Sequence, residues 1–384
     1  MKLNLSKIFA AILTASLLAG CAGKLTFPAP DGGAKDAPWS AVRRDCAGWA
    51  FSGDGTGHAE IVWRTKTKIP IIAAPLAAEG KIFVPTPNRR VLAFDAETGD
   101  RVGRLWVDVL PNNGIALGDG ILAITGRSDF NRFRVYDFRE GEFLWSKDAD
   151  RAFSAPIVCG ETIYFATAKG AIFAIDARTG ERKWRAEIPS AVINHPPAFR
   201  DSLVYIADSN KRLVAITADS GKVRWKLDLP SPPVGQPIVI PDHVIVPTES
   251  GKIFVVLLDG TIRVTIDAPG QLATDIACMG PTVFGVTRMG IVFAGDLGGG
   301  GILWQTNLAT PVLSAPVLWG RQLAVITAEG ELNLVFYADG ARESTVDLEA
   351  PVTAPPIVHG SRLFIAAETG ELIAIERHSR RMEP

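Results

Sequence analysis

A period of about forty residues runs through most of the chain and restricts the folds that it can adopt. Similar segments, such as residues 93–99 and 174–180, recur along the sequence and end in a glycine. These glycines are Gly99, Gly141, Gly180, Gly221, Gly260, Gly300 and Gly340. The steps between them are 42, 39, 41, 39, 40 and 40 residues. A period of this length indicates a repeat architecture, in which one supersecondary unit is copied along the chain.

Each repeat contains four short segments typical of β-strands. In residues 154–188, runs rich in β-branched and aromatic residues are separated by turns at Gly160, Gly170 and Gly180. A tryptophan opens the fourth segment in several repeats, and we expect its ring to pack against the next repeat. These tryptophans are Trp145, Trp184, Trp225 and Trp304. No segment beyond the N-terminal apolar run shows a helical period, which excludes helical solenoids.

An acidic residue closes the third segment of several repeats. These residues are Asp95, Asp137, Asp176 and Asp296. A ring of carboxylates is one interpretation of this pattern. We favour a structural one, because an aspartate side chain can accept hydrogen bonds from the backbone two residues on and so begin the turn.

The number of repeats predicts an all-β fold, an eight-bladed β-propeller of four-stranded antiparallel blades. The first strands of the eight blades start near Ala74, Gly114, Ala155, Pro197, Pro237, Asp275, Ala315 and Ala354. The last repeat lacks a fourth strand, whereas residues 60–65 match that strand and precede the first repeat. We therefore expect the N-terminal strand to join the last blade and close the ring. An open β-solenoid is the alternative.

The N-terminus has the pattern of a secretion signal. Lys2 and Lys7 precede an apolar run that ends before Cys21, and this run is too short to span a bilayer. Residues 18–21, Leu-Ala-Gly-Cys, resemble a bacterial lipobox, which implies a lipoprotein signal peptide at 1–20 and acylation of Cys21 by chains such as palmitate. An ordinary signal peptide with an incidental cysteine is the alternative. We predict a tether and N-terminal extension at 21–58 and a propeller at 59–384.

Charge and composition exclude several classes of function. The chain has 40 lysines and arginines against 41 acidic residues, a net charge of −1, so broad nucleic-acid binding is not expected. Its five histidines are scattered without the spacing of a metal site. Cys46, Cys159 and Cys278 are far apart in sequence, and we expect Cys159 and Cys278 to be separate, small buried side chains. The state of Cys46 is left open.

Residues 176–184, Asp-x-x-Thr-Gly-x-x-x-Trp, resemble the repeat of pyrroloquinoline-quinone-type propellers. Together with the lipobox, the chain resembles the BamB family of outer-membrane barrel-assembly lipoproteins. The resemblance implies a non-enzymatic scaffold without a cofactor, acting as a monomer within a complex. It also implies lipid anchoring at the periplasmic face of the outer membrane. Ala22 follows the acylated cysteine, whereas an aspartate at that position favours retention in the inner membrane. Val264 and Ser344 stand where the repeat has tryptophan, which weakens the match there.

In such proteins, loops that join one blade's outer strand to the next blade's inner strand contact the periplasmic POTRA domains of the BamA-like barrel insertase. Residues 189–195 and 230–236 are two such loops here. Their candidate partner-binding residues are Val192, Ile193, Asn194 and Val234, and we expect the three apolar side chains to be exposed. Ordinary connectors between blades are the alternative interpretation.

Two other functions stay open at this stage. A quinone-dependent dehydrogenase would share the fold, but such enzymes carry adjacent cysteines over the cofactor and a calcium site, and this sequence has no adjacent cysteines. No nucleophile–base pattern stands out, and Gly298–Gly301 lacks the Lys-Ser/Thr that follows a phosphate-binding loop. We therefore predict no catalytic residues. A periplasmic propeller lipoprotein with another envelope partner is the remaining alternative.

Overall fold

The computed structural model describes residues 51–52, 58–71, 73–111, 114–126, 132–148, 152, 154–272 and 274–378. These residues form 33 β-strands and no helix. Consequently, no helix within them is long and apolar enough to cross a membrane. The predicted signal peptide 1–20, Cys21 and most of the extension 21–58 lie outside the described residues.

Thirty-two of the strands form eight antiparallel blades of four, which confirms the predicted eight-bladed propeller. The strands of the first four blades, from the axis outward, are β3 (Leu76–Ala78), β4 (Lys81–Thr86), β5 (Arg90–Asp95) and β6 (Arg101–Trp106) in blade 1; β7 (Ile115–Gly118), β8 (Ile121–Ile124), β9 (Arg132–Asp137) and β10 (Glu142–Asp148) in blade 2; β11 (Ile157–Cys159), β12 (Thr162–Ala166), β13 (Ala171–Asp176) and β14 (Arg182–Glu187) in blade 3; and β15 (Ala198–Arg200), β16 (Leu203–Asp208), β17 (Arg212–Thr217) and β18 (Val223–Asp228) in blade 4.

The other four blades repeat this order. Their strands are β19 (Ile238–Ile240), β20 (His243–Pro247), β21 (Lys252–Leu257) and β22 (Ile262–Asp267) in blade 5; β23 (Ala277–Met279), β24 (Thr282–Val286), β25 (Ile291–Asp296) and β26 (Ile302–Asn307) in blade 6; β27 (Val317–Trp319), β28 (Gln322–Ile326), β29 (Glu331–Phe336) and β30 (Arg342–Asp347) in blade 7; and β31 (Ile357–His359), β32 (Arg362–Ala366), β33 (Glu371–His378) and β2 (His58–Lys66) in blade 8.

Blade 8 closes the ring as expected. Its outer strand β2 pairs antiparallel with β33, from His58 opposite His378 to Lys66 opposite Glu371, with a bulge between Ile61 and Trp63. Arg64 in this strand donates hydrogen bonds to the Leu348 carbonyl of blade 7 and to the Glu371 carboxylate, both at 2.9 Å. The first and last parts of the chain are thereby joined in one sheet, which leaves no open end blade.

The tryptophans join neighbouring blades, as the sequence predicts. The Trp184 indole N–H of blade 3 donates to the Ala218 carbonyl of blade 4 at 2.6 Å. Its ring lies over Gly221, where a Cβ would be 2.7 Å from the indole. Trp145, Trp225 and Trp304 make the equivalent hydrogen bonds to the following blade. The core consists largely of side chains between adjacent blades, and its strands are buried on both faces.

The repeated aspartates form turns, which confirms their structural interpretation. The Asp176 carboxylate accepts hydrogen bonds from the backbone N–H groups of Arg178 and Thr179 at 3.1 and 2.9 Å. The bond from Thr179 is the main cause that lowers the pKa of this carboxyl. Asp95, Asp137 and Asp296 accept equivalent backbone bonds.

One strand falls outside the predicted repeats. Residues Phe51–Ser52 form β1, which pairs in parallel with Leu318 and Trp319 of β27. Because β27 is the inner strand of blade 7, β1 adds a fifth strand on the side of that blade that faces the axis. Part of the N-terminal extension therefore lies along the central channel.

Candidate functional site

The loops between blades lie on one face of the propeller, together with the turns that join the second and third strands of each blade. The connectors that enter blades 4 to 8 are each hydrogen-bonded to such a turn in the blade that they enter. The backbone N–H of Ser209 donates to the Val192 carbonyl, and that of Glu249 donates to the Pro232 carbonyl, both at 2.9 Å. Arg288, Ala328 and Glu368 repeat this bond in blades 6 to 8. The face is therefore a set of loops on a rigid support.

The first predicted loop, residues 189–195, is held by Asp208 at the end of β16. This carboxylate accepts a bond from the Val192 N–H at 2.9 Å and pairs with Arg212, whose Nε lies 2.7 Å from Oδ2. Val192 itself is 39% exposed. Ile193 is fully buried between blades 3 and 4, so the expectation that it is exposed is wrong. With the Val192 N–H bonded to Asp208, the side chain of Ile193 points into the core.

The second predicted loop, residues 230–236, leaves Val234 only partly exposed. The Val234 N–H donates to the Pro247 carbonyl at 3.0 Å. The next residue, Gly235, has a φ of +132° and lies against the Asp275 carboxylate of the following blade. That carboxylate accepts a hydrogen bond from the Gln236 N–H at 3.0 Å. The expectation of an exposed valine here is therefore only partly met.

Two depressions open on this face and share the side chain of Asn194. One, of about 670 Å³, is lined among others by His195, Val234, Asp275 and Leu313. The other, of about 270 Å³, lies at the mouth of the central channel among small and proline residues of blades 1 to 4 and 8. The exposed Asn194 amide donates to the Ser209 hydroxyl at 3.1 Å. The structure thus brings Asn194 and Val234 to one depression. Val192 does not line it but lies two residues before Asn194 in the same loop.

The larger depression is lined by both polar and apolar side chains. His195, Glu249, Asp275 and Arg288 supply ionisable groups of both signs. Burial lowers the pKa of His195, although a hydrogen bond to the Pro233 carbonyl and the charge of Glu249 act in the opposite direction. The His195 ring is therefore neutral at pH 7. Such a mixture of balanced charge and apolar side chains suits a protein partner more than a polyanion.

The polar sector belongs to blades 5 and 6, where the repeat pattern is interrupted. The position two residues before the inner strand is Ala74, Ala155, Pro196, Gln236, Asp275, Ala315 and Pro355 in blade 1 and blades 3 to 8. Only Gln236 and Asp275 are polar in this set, and they are hydrogen-bonded neighbours. An alignment of the repeats shows both positions as the polar exceptions, so the signal for this pair is present in the sequence.

Sequence reasoning missed two apolar side chains on this face. Leu313, in the connector between blades 6 and 7, is 51% exposed and lines the larger depression. Met289, in the turn between β24 and β25, is 75% exposed. Neither charge nor the repeat period predicts the exposure of these two side chains, because the exposure of a loop residue depends on how the blades pack.

The two described cysteines, Cys159 and Cys278, are not bonded to each other. Cys159 is disulfide-bonded, which corrects its interpretation as a free buried side chain. Cys278 is free and buried, as expected. The disulfide partner of Cys159 therefore lies outside the described residues. Burial raises the pKa of the Cys278 thiol to about 12, which keeps it protonated and unreactive. Within the described part of the chain, no three His, Cys, Asp or Glu side chains are grouped closely enough to hold a metal ion.

The sequence of the chain matches that of a known protein family. The sequence profile described as "Outer membrane protein assembly factor BamB" matches residues 56–110, 103–193, 189–263 and 288–382. The chain belongs to the BamB family. A curated BamB, from Moranella endobia (strain PCIT), is 30% identical over 82 residues, which is 21% of each chain. The match therefore spans about a fifth of that relative's length.

Solved structures of BamB and of enzymes share the fold. BamB from Moraxella catarrhalis superposes with a TM-score of 0.71 at 17% identity, covering 83% of this chain and 100% of that one. A quinohemoprotein alcohol dehydrogenase from Comamonas testosteroni superposes with a TM-score of 0.73 at 15% identity, covering 91% and 82%. At these identities the superpositions establish the propeller fold alone.

Proposed function

We propose that this BamB-family chain is a non-enzymatic scaffold lipoprotein that binds the POTRA domains of the outer-membrane barrel insertase. It assists assembly and insertion of outer-membrane proteins and acts as a monomer within that complex. Acyl chains on Cys21 anchor it to the periplasmic face of the outer membrane. The observation that carries the proposal is the connector face, where exposed Val192 lies close in sequence to a depression that combines Val234 and Leu313 with polar side chains.

The physical argument is that binding energy concentrates in a few apolar contacts that a partner can shield from water. Val192 and Leu313 already project from loops that are hydrogen-bonded to the next blade. Ordering these loops therefore costs little entropy on binding. Asn194 offers an exposed amide between the two depressions for a polar contact at the same surface.

A matched pair of substitutions tests the proposal. Val192 and Val223 are 39% and 40% exposed, but Val223 lies at the start of outer strand β18, away from the connector face. We expect Val192→Asp to weaken co-purification with the insertase about tenfold, the loss of one interface contact of ~1.4 kcal/mol. Val223→Asp should leave it unchanged. Equal recovery with both variants would contradict the connector face, and recovery of another envelope complex by the unaltered chain would favour the alternative partner.

Lipid anchoring is tested separately. Cys21→Ser should abolish incorporation of palmitate into the protein, and globomycin should make the unprocessed precursor accumulate. Normal processing in globomycin would contradict the lipobox and leave an ordinary signal peptide.

A quinone-dependent dehydrogenase is the second candidate, because the quinohemoprotein alcohol dehydrogenase superposes over 91% of this chain. Against it, Cys159 and Cys278 lie in blades 3 and 6, and β1 runs along the channel side of blade 7. We expect purified protein incubated with pyrroloquinoline quinone and calcium to show no bound-cofactor absorbance and no dye-linked alcohol oxidation. Appearance of both would replace the scaffold proposal.

A further inference from the structure

Among the described residues, no further strand pairs with the outer strand of any blade, and seven of these eight outer strands carry charged side chains. An outer strand leaves backbone N–H and C=O groups without a sheet partner, and charged side chains on that strand hinder the addition of another one. The protecting residues include Glu60 and Lys66 on β2, Arg101 and Arg104 on β6, Glu142, Lys147 and Asp148 on β10, Arg182, Lys183 and Arg185 on β14, Arg224 and Lys226 on β18, Arg263 and Asp267 on β22, and Arg342, Glu343 and Asp347 on β30.

Strand β26 of blade 6 is the exception among these eight described outer strands. Its sequence, Ile-Leu-Trp-Gln-Thr-Asn, carries no charge, and Ile302 and Leu303 are 37% and 58% exposed. Four glycines, Gly298–Gly301, precede this strand, so no side chain there obstructs a strand that approaches its edge. No charged residue occurs from position 297 to position 320, the longest uncharged stretch of the chain.

The side chains of β26 divide between two faces. Trp304 donates its indole N–H to the Tyr337 carbonyl of blade 7 at 2.9 Å, and Thr306 donates its hydroxyl to the Gly340 carbonyl at 2.5 Å. Gln305 and Asn307 are exposed to solvent on the opposite face. A strand added beside β26 would therefore meet blade 7 on one face and water on the other.

We infer that the edge of β26 accepts an added β-strand from an extended, uncharged segment of an unfolded outer-membrane barrel protein. Transmembrane β-strands alternate apolar and polar side chains, which matches an edge with one covered and one open face. Their apolar residues would lie opposite charges on the other seven edges, an unfavourable cross-strand pairing. The choice of this client rests on the proposed function, whereas the edge itself is read from β26.

Strand β30 of blade 7 provides a matched control. It has the same exposure pattern and the same bulge as β26, and Thr345 occupies the position of Gln305, opposite Asn333 as Gln305 is opposite Phe293. Both side chains are exposed, so substitution at either position should leave the fold intact. Thermal unfolding of each variant checks this.

The experiment uses a fluorescent synthetic peptide of about ten residues with the alternating pattern of a transmembrane β-strand. A photo-crosslinking residue at position 305 should capture it, whereas one at position 345 should not. Gln305→Lys should weaken peptide binding about fivefold, equivalent to ~1 kcal/mol, and Thr345→Lys should have no effect. A peptide with prolines at alternate positions should not bind, because proline cannot supply the backbone donors of a strand.

Equal capture at both positions, equal loss with both lysine variants, or undiminished binding of the proline peptide would overturn the inference. So would an unaltered protein that does not bind the peptide. Insertase co-purification separates this outcome from failure of the proposed function. If the insertase is recovered with Gln305→Lys while the peptide is lost, both proposals stand. If the peptide binds at β26 but no insertase is recovered, the edge site stands and the partner assignment fails.

Discussion

Gly235 lies so close to Asp275 that a Cβ at this glycine would be 1.2 Å from the carboxylate oxygen Oδ1. The same oxygen accepts the Gln236 N–H at 3.0 Å, so blade 6 fixes the path of the loop that enters blade 5. One contact between blades thus shapes the connector that carries Val234.

Gly235→Ala should therefore destabilise the protein by about 3 kcal/mol, because it combines a disfavoured positive φ with displacement of a buried contact. Gly280→Ala is the matched control, since Gly280 also has a positive φ, of +56°, but nothing lies within 4 Å of the added Cβ. We expect it to cost about 1 kcal/mol. Urea unfolding of both variants measures the difference, and equal losses would show that Asp275 can move aside.

Protonation of His195 should lower stability in mild acid. Burial lowers the pKa of His195 in the folded protein below its ordinary value of 6.5. Below about pH 6.5 the unfolded chain therefore binds more protons at this site than the folded one, so stability falls as the pH decreases towards the folded pKa. The slope is at most about 1.4 kcal/mol per pH unit.

His195→Gln should remove this part of the pH dependence between pH 6.5 and 5, as measured by urea unfolding at several pH values. His243→Gln is the comparison variant. Burial lowers the pKa of His243 too, but this histidine lies on β20, outside the depression. An unchanged slope in His195→Gln would show that the ring does not resist protonation.

Trp184→Ala should destabilise the ring by about 3–5 kcal/mol, the range for removing a large buried aromatic side chain. Trp184 is 7% exposed and bonded to blade 4. Trp106→Ala, at a residue that is 47% exposed, should cost less than about 1 kcal/mol. Comparable losses in the two variants would contradict the role of Trp184 between blades.

Cys159 should be found linked to Cys46 in peptide maps of the non-reduced protein. Cys278 is free, and acylation of Cys21 would consume its thiol, which leaves Cys46 among the four cysteines. Reduction should release the link without exposing Cys278 to alkylation, because that thiol is buried. A Cys159 peptide linked to residue 21 would contradict both this pairing and the lipidation of Cys21.

The repeat determined most of the fold without tertiary information. The forty-residue period, the turn aspartates such as Asp176 and the tryptophans such as Trp184 each act within one blade or on the next one. Even ring closure followed from the sequence, because the strand missing from the last repeat stands at the front of the chain and pairs there as β2.

The connector face could be located from the sequence only roughly. Val192 and Ile193 are adjacent aliphatic residues in a loop without a period, yet one is exposed and the other fully buried. The difference arises because Asp208, distant in sequence, holds the Val192 N–H. Propensity and periodicity describe neighbours along the chain and do not contain such contacts.

The architecture could be predicted from the repeat, because each blade follows the same local rules for strands and turns. The packing of the blades fixes which loop side chains face solvent, the position of β1 along the channel, and the contact between Gly235 and Asp275. These features depend on contacts between blades and across the ring axis, where residues far apart in the chain come together only after closure.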